Sequence, residues 1–111
     1  MSARGSARAR AFCALLVAAG TAMAAEEPLG KTLFTERCGM CHQTNGMGVG
    51  ILSRRTGDTS KGLLEQRADL SSAVIKVIVR TGIGNMPRIS RAEVSDPQLA
   101  EIADYLSRGK P

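Results

Sequence analysis

The stretch Cys38-Gly39-Met40-Cys41-His42 decides how the rest of this chain is read. Two thiols with two residues between them can each bond one vinyl-derived carbon of a porphyrin. A histidine directly after the second thiol is then held under the macrocycle, where its imidazole can bind iron. This is the pattern for covalent attachment of a c-type haem. The chain contains one histidine, so His42 has no competitor.

Three other chemistries use a Cys-x-x-Cys pair. A dithiol oxidoreductase wants the pair in a βαβ setting after a hydrophobic strand, whereas Leu29 to Arg37 has the character of a helix. A structural zinc site needs four ligands, and beyond Cys13 the chain offers two cysteines and one histidine. A structural disulfide across two residues closes a small, strained loop. The haem reading asks least of the surrounding sequence.

Residues 1–24 have the layout of a secretory signal peptide. Arg4, Arg8 and Arg10 form a basic start without an acidic residue. Residues 11–22, AFCALLVAAGTA, form an apolar core too short to span a bilayer, and Ala22-Met23-Ala24 offers a small-x-small cleavage pattern. Cys13 lies inside this segment and is expected to be lost with it. The mature domain is therefore expected at 25–111, exported to the periplasm, with no stable membrane insertion. The formal net charge of +5 falls to about +2 on cleavage, with twelve basic residues against ten acidic. The basic balance thus belongs mostly to the leader. No basic stripe interleaved with aromatic residues points to nucleic acid.

About 87 residues remain, enough for one domain. Only Phe34 and Tyr105 supply aromatic volume there. A domain this small struggles to bury enough surface alone, and a large flat apolar cofactor would relieve that shortage.

Leu29 to about Cys38 reads as a first helix, with Leu29, Leu33 and Phe34 on one face and Pro28 near its start. Residues 43–66 are polar and glycine-rich, which reads as a long loop. Ser71 to Thr81 is ambiguous. Its β-branched run suits a strand, while Ser71 as N-cap and Gly82 past the end suit a helix. The last helix is plain: Asp96 as N-cap, Pro97 at the first position, Leu99, Ile102, Ala103 and Leu106 as the apolar stripe, and Gly109 at the close.

A haem iron bound by one histidine has a sixth position to fill. A thioether there makes an electron-transfer centre and raises the reduction potential. Met40 lies between the cysteines and Met47 only five residues after His42. Met86 lies 44 residues beyond His42, in Gly84-Asn85-Met86-Pro87, far enough for the chain to wrap over the ring. Met86 is the expected ligand, with Met47 its rival. An open iron position would instead make the chain a haem-based sensor or enzyme.

The set Gly30-x-x-x-Phe34, Cys38-Gly39-Met40-Cys41-His42, Gly84-Asn85-Met86-Pro87 and Leu99-x-x-Ile102-Ala103-x-Tyr105-Leu106 resembles class I c-type cytochromes across the whole mature chain. The resemblance implies an all-α fold, a small cytochrome c fold of three to four short helices wrapped around one covalently bound haem c. It implies that the first and last helices cross, with Gly30 allowing close approach and Tyr105 packing against it. It also implies that Ser71 to Thr81 is the helix leading into the methionine loop. Gly48-Val49-Gly50 and Ile75-Lys76-x-Ile78-Val79-Arg80-x-Gly82 are similar to the cytochrome subunits of p-cresol methylhydroxylase-type flavocytochromes. There a flavoprotein dehydrogenase subunit passes electrons singly to the cytochrome.

The expectation is a single-electron carrier with no catalytic residues of its own. Its haem is anchored by Cys38 and Cys41, and its iron held by His42 and Met86. Its partner is a flavoprotein dehydrogenase subunit or another redox protein; a free periplasmic carrier to a terminal oxidase is the alternative. Two departures stand out. Ile51 occupies the place of a proline whose carbonyl commonly accepts the haem histidine's Nδ1 proton, a role the Ile51 carbonyl would inherit. Arg54-Arg55 opens a loop that looks expanded against those relatives, and one of the two arginines is a candidate partner for a haem propionate.

Overall fold

A computed structural model describes Met1 and residues 24–108. The signal-peptide segment, Cys13 and Gly109 lie outside the described residues. Four α-helices carry the fold: α1 (Leu29–His42), α2 (Met47–Thr56), α3 (Ser72–Thr81) and α4 (Asp96–Ser107), with short 3-10 turns at Thr59–Lys61 and Leu64–Gln66. Among the described residues the only β-type pairing is an isolated bridge between Ile83 and Met86. The all-α expectation is met.

Helix α4 is the centre of the packing and lies against both α1 and α3, while α2 rests on α1 and on the turn that follows it. Its stripe Leu99, Ile102, Ala103 and Leu106 is buried, together with Leu33 and Phe34 of α1, Ile75 of α3 and Val94. Phe34 is fully buried, and its ring lies 6.3 Å from that of Tyr105. A Cβ at Gly30 would sit 2.3 Å from the Glu101 carbonyl oxygen and 2.6 Å from Tyr105 Cβ. The two helix backbones therefore meet at a point where only glycine fits. The Tyr105 hydroxyl donates to Glu65, joining α4 to the second 3-10 turn. Burial, and then this bond, push the Tyr105 hydroxyl up to about 12.

Helix α1 is longer than the pattern suggested. It runs through the cysteine motif to His42, and Gln43 N–H bonds the Gly39 carbonyl at 2.9 Å. Leu29, expected on the buried face, is exposed; Gly30, Leu33 and Phe34 form that face instead.

The largest correction falls on residues 43–66, where a long loop was expected and α2 is found. Glycines read as loop punctuation because they weaken helices. Here they answer packing instead. A Cβ at Gly48 would lie 2.7 Å from the Cys41 carbonyl oxygen, and one at Gly46 would lie 2.4 Å from it. Met47, Ile51 and Leu52, at i, i+4 and i+5, then share a face. Gly57, with φ 66°, ends the helix in the left-handed conformation.

Helix α3 resolves the ambiguous segment. Ser71 caps it by accepting from Val74 N–H at 3.3 Å, and Gly82 closes it with φ 73°. In α4 the N-cap is Ser95 rather than Asp96. Ser95 Oγ accepts from Gln98 N–H at 3.4 Å, and Gln98 Oε1 accepts from Ser95 N–H at 3.0 Å, a reciprocal capping box. Asp96 moves into the first turn, where its charge favours the helix dipole. Ser95→Ala is expected to cost about 1 kcal/mol, read as a lower urea midpoint with the visible spectrum unaltered.

Candidate functional site

The end of α1 delivers three candidate residues to one place. Cys38, Cys41 and His42 all line a cavity of about 350 Å³, together with Met86 from the segment between α3 and α4. Residues far apart in sequence are thus brought together. Phe34, Leu64, Leu70, Ile75, Ile78 and Leu106 give the cavity apolar walls. Among the described residues, Arg55 and Arg67 are the only charged ones lining it.

Cys38 and Cys41 form no disulfide with each other. Burial, and secondarily the neighbouring Cys41, push the Cys38 thiol up to about 11. The pair also sits at the C-terminal end of α1, where the helix dipole disfavours a thiolate. A dithiol oxidoreductase needs the opposite, a depressed thiol pKa at a helix start. The local electrostatics therefore oppose that reading.

Burial lowers the pKa of His42 and favours the neutral imidazole, the form that binds metal. Its Nδ1 is buried without a hydrogen-bond partner. The expected bond from Nδ1 to the Ile51 carbonyl is not made. Ile51 lies inside α2, where the helix ladder claims its carbonyl. The bare backbone at Gly48 lies close by, where a Cβ would come within 3.2 Å of Nδ1. The imidazole is held by packing rather than by a hydrogen bond. The sequence marked Gly48 only as part of the Gly48-Val49-Gly50 likeness; its packing against the imidazole appears only in the fold.

Met86 is half-buried. It leaves a tight turn in which Ile83 N–H bonds the Met86 carbonyl at 3.0 Å and Met86 N–H bonds the Ile83 carbonyl at 2.9 Å. Gly84 takes φ 55° at the tip. A Cβ at Gly82 would lie 2.8 Å from the Met86 carbonyl oxygen, so the chain folds back tightly over the end of α3. Met47 also lines the cavity but is 69% exposed, and Met40 is 92% exposed and does not line it.

The two arginines of the expected propionate pair part company. Arg55 lines the cavity, and Arg54 does not. The Arg55 guanidinium lies beside Gly84, 3.2 Å from where a Cβ would be. Arg67, which the sequence did not single out, reaches the cavity already paired. Its Nε and Nη2 each donate to the Asp69 carboxylate at 2.8 Å, and this pairing holds that carboxylate at about 2.

These residues fit a c-type haem. Two unbridged thiols, one neutral imidazole, the thioethers of Met47 and Met86, apolar walls and a cation at the edge match the vinyl groups, iron, porphyrin plane and carboxylates of that group. Among the described residues, no helix is long and apolar enough to cross a membrane.

Residues 25–106 match the family described as cytochrome c oxidase, cbb3-type, subunit III. The 4-cresol dehydrogenase (hydroxylating) cytochrome c subunit of Pseudomonas putida is 40% identical over 94 residues, which span 84% of this chain and 72% of that protein. No solved structure matches.

Proposed function

The chain belongs to the cytochrome c family, and on that premise we propose that it accepts single electrons from a flavoprotein dehydrogenase of the phenol-oxidising type and passes them on. It is an electron-transfer protein with a haem c cofactor rather than a catalyst of substrate chemistry. The observation that carries the site assignment is the meeting of Cys38, Cys41, His42 and Met86 on one apolar cavity.

In this reading Cys38 and Cys41 are the covalent anchors, and His42 and Met86 the two iron ligands. When bound, the haem supplies a one-electron couple at an iron whose reduced state a thioether ligand favours. The protein's part is to hold and to exclude. The C-terminal turn of α1 fixes both thiols and the imidazole on one rigid element. The apolar walls from α2, α3 and α4 offer the porphyrin few polar contacts, which limits rearrangement around it when the charge changes. Arg55 is the proposed carboxylate partner, because it lines the cavity and its side chain makes no ion pair or hydrogen bond among the described residues.

The flavoprotein partner is proposed from the narrower likeness in sequence to cytochrome subunits of flavin-dependent dehydrogenases. Residues 1–24 are proposed as a leader removed on export to the periplasm, leaving residues 25–111 as the working domain.

Met86→Ala tests the ligand assignment. The oxidised wild-type protein is expected to show a weak sulfur-to-iron band at the far-red end of its spectrum. The variant is expected to lose that band and to fall in reduction potential by on the order of 100 mV or more, while keeping its covalent haem. An unchanged band would assign the sixth position elsewhere, with Met47→Ala the next variant to measure. Co-purification of the tagged cytochrome with a flavin-bearing chain tests the partner.

A further inference from the structure

We propose that Arg80, which does not line the cavity, is the positioning residue that keeps Met86 on the iron. The proposal rests on Met86 being an iron ligand.

Arg80 lies in the last turn of α3, and its side chain is only 17% exposed. Its guanidinium reaches across to the segment that carries Met86. Nη1 donates to the Ile89 carbonyl at 3.0 Å, and Nη2 donates to the Val94 carbonyl at 2.9 Å. Nη2 also pairs with Asp96 Oδ1 at 2.7 Å, at the start of α4. Arg91 holds the other oxygen of that carboxylate, Nε to Oδ2 at 2.7 Å.

The two carbonyls bracket a closed turn. Ser90 N–H donates to Glu93 Oε2 at 2.8 Å, and Val94 N–H donates to the Ser90 carbonyl at 3.1 Å. One planar cation thus grips the turn at both ends. Ile89 is gripped twice, since its N–H also bonds the Val79 carbonyl at 2.8 Å. Met86 therefore lies between two fixed points, the tight turn at Ile83 and the pinned Ile89.

A lysine could not replace this fork, because a single ammonium cannot present two nitrogens in fixed directions. The arrangement has a cost: Arg80 Nε is buried with no partner. A guanidinium placed only to neutralise Asp96 would not need to be sunk this far. Its depth is set by the two carbonyls.

The consequence is mechanical. Breaking the fork frees the segment after Met86 to swing, and an outside ligand can then compete for the iron. The test compares haem-bearing wild type with Arg80→Gln, Arg80→Lys and Ala103→Gly. Ala103 is buried in α4 and does not line the cavity, so its variant reports general loss of stability. Each protein is titrated with imidazole while the sulfur-to-iron band is followed, and each is unfolded in urea by far-ultraviolet circular dichroism.

Arg80→Gln is expected to bind imidazole about tenfold or more tightly than wild type, the scale set by losing charge-assisted hydrogen bonds to two carbonyls. Arg80→Lys is expected to fall between the two. Ala103→Gly is expected to stay within about twofold of wild type despite a clear fall in urea midpoint.

Wild-type imidazole affinity in Arg80→Gln would overturn the proposal. So would an equal gain in Ala103→Gly for an equal loss of stability. If Arg80→Gln does not accumulate, Arg80→Lys decides, and wild-type affinity there refutes the role. Failure of the underlying ligation is distinguishable, because the band would then be missing from wild type itself or survive in Met86→Ala.

Discussion

Replacing both Cys38 and Cys41 by serine, so that no haem is tethered, is expected to leave a chain that does not hold its fold. The reason is volume. The cavity measures about 350 Å³. At about 24 cal/mol for each Å³ left unfilled, it would cost as much as about 8 kcal/mol. Small domains have a total stability of only about 5–15 kcal/mol. The side chains around the cavity leave little reserve, since Phe34 and Tyr105 are the only aromatic residues in the described region. The expected result is loss of most of the helical far-ultraviolet signal and of amide dispersion in the haem-free protein. A haem-free chain with the full helical signal would show that α1, α3 and α4 are self-sufficient.

Gly30→Ala is the second large effect, and its sign is diagnostic. On helix propensity alone, alanine in α1 would stabilise the protein by about 0.5–1 kcal/mol. The added methyl would meet the Glu101 carbonyl oxygen at 2.3 Å and Tyr105 Cβ at 2.6 Å. Backbone is what stands in the way, so no rotamer change relieves the contact. Helices α1 and α4 would have to separate, loosening Phe34 against Tyr105 and the walls behind the cavity. A net loss of about 3 kcal/mol or more is expected, lowering the melting temperature by roughly 10–20 °C for a domain of this size. A neutral or stabilising outcome, measured by thermal unfolding of the haem-bearing protein, would show that the two helices do not cross in backbone contact.

The two experiments bear on different parts of the same design. The first asks what the cofactor contributes to a core poor in bulky side chains. The second asks what a single missing side chain contributes to the frame around it. The frame matters for the proposed function because the residues assigned to the haem come from separate segments. Cys38, Cys41 and His42 ride on α1, whereas Met86 hangs between α3 and α4, and α4 lies against both of those helices.

Much of this was legible in advance because it is local chemistry. The cysteine motif and the stripe along α4 need only neighbouring residues to be recognised, and the distance from His42 to Met86 needs only a count along the chain. Helix α3 was harder. Val74 to Val79 satisfy strand and helix preferences alike, and the cap bond from Val74 N–H to Ser71 Oγ tips the balance toward helix. Helix α2 was misjudged because its glycines count against a helix when read singly. Their purpose appears only when the Cys41 carbonyl is seen resting against Gly46 and Gly48. The cap at Ser95 was displaced by one residue onto Asp96, since serine and aspartate cap almost equally well. The partner of Gln98 decided between them.

The amino-acid order alone pointed to the haem motif from Cys38 to His42 and to the helical class, and the fold bears out the helical class. Bonding motifs and helix periodicity act within a few residues and can be recognised without the rest of the fold. Three matters waited for the chain to be folded: which of two adjacent arginines reaches the cavity, whether the Ile51 carbonyl is free to meet His42, and how Arg80 holds the segment bearing Met86. Each depends on where backbone from elsewhere in the chain comes to rest. That position is set by close packing summed over the whole core, which no short stretch of sequence encodes.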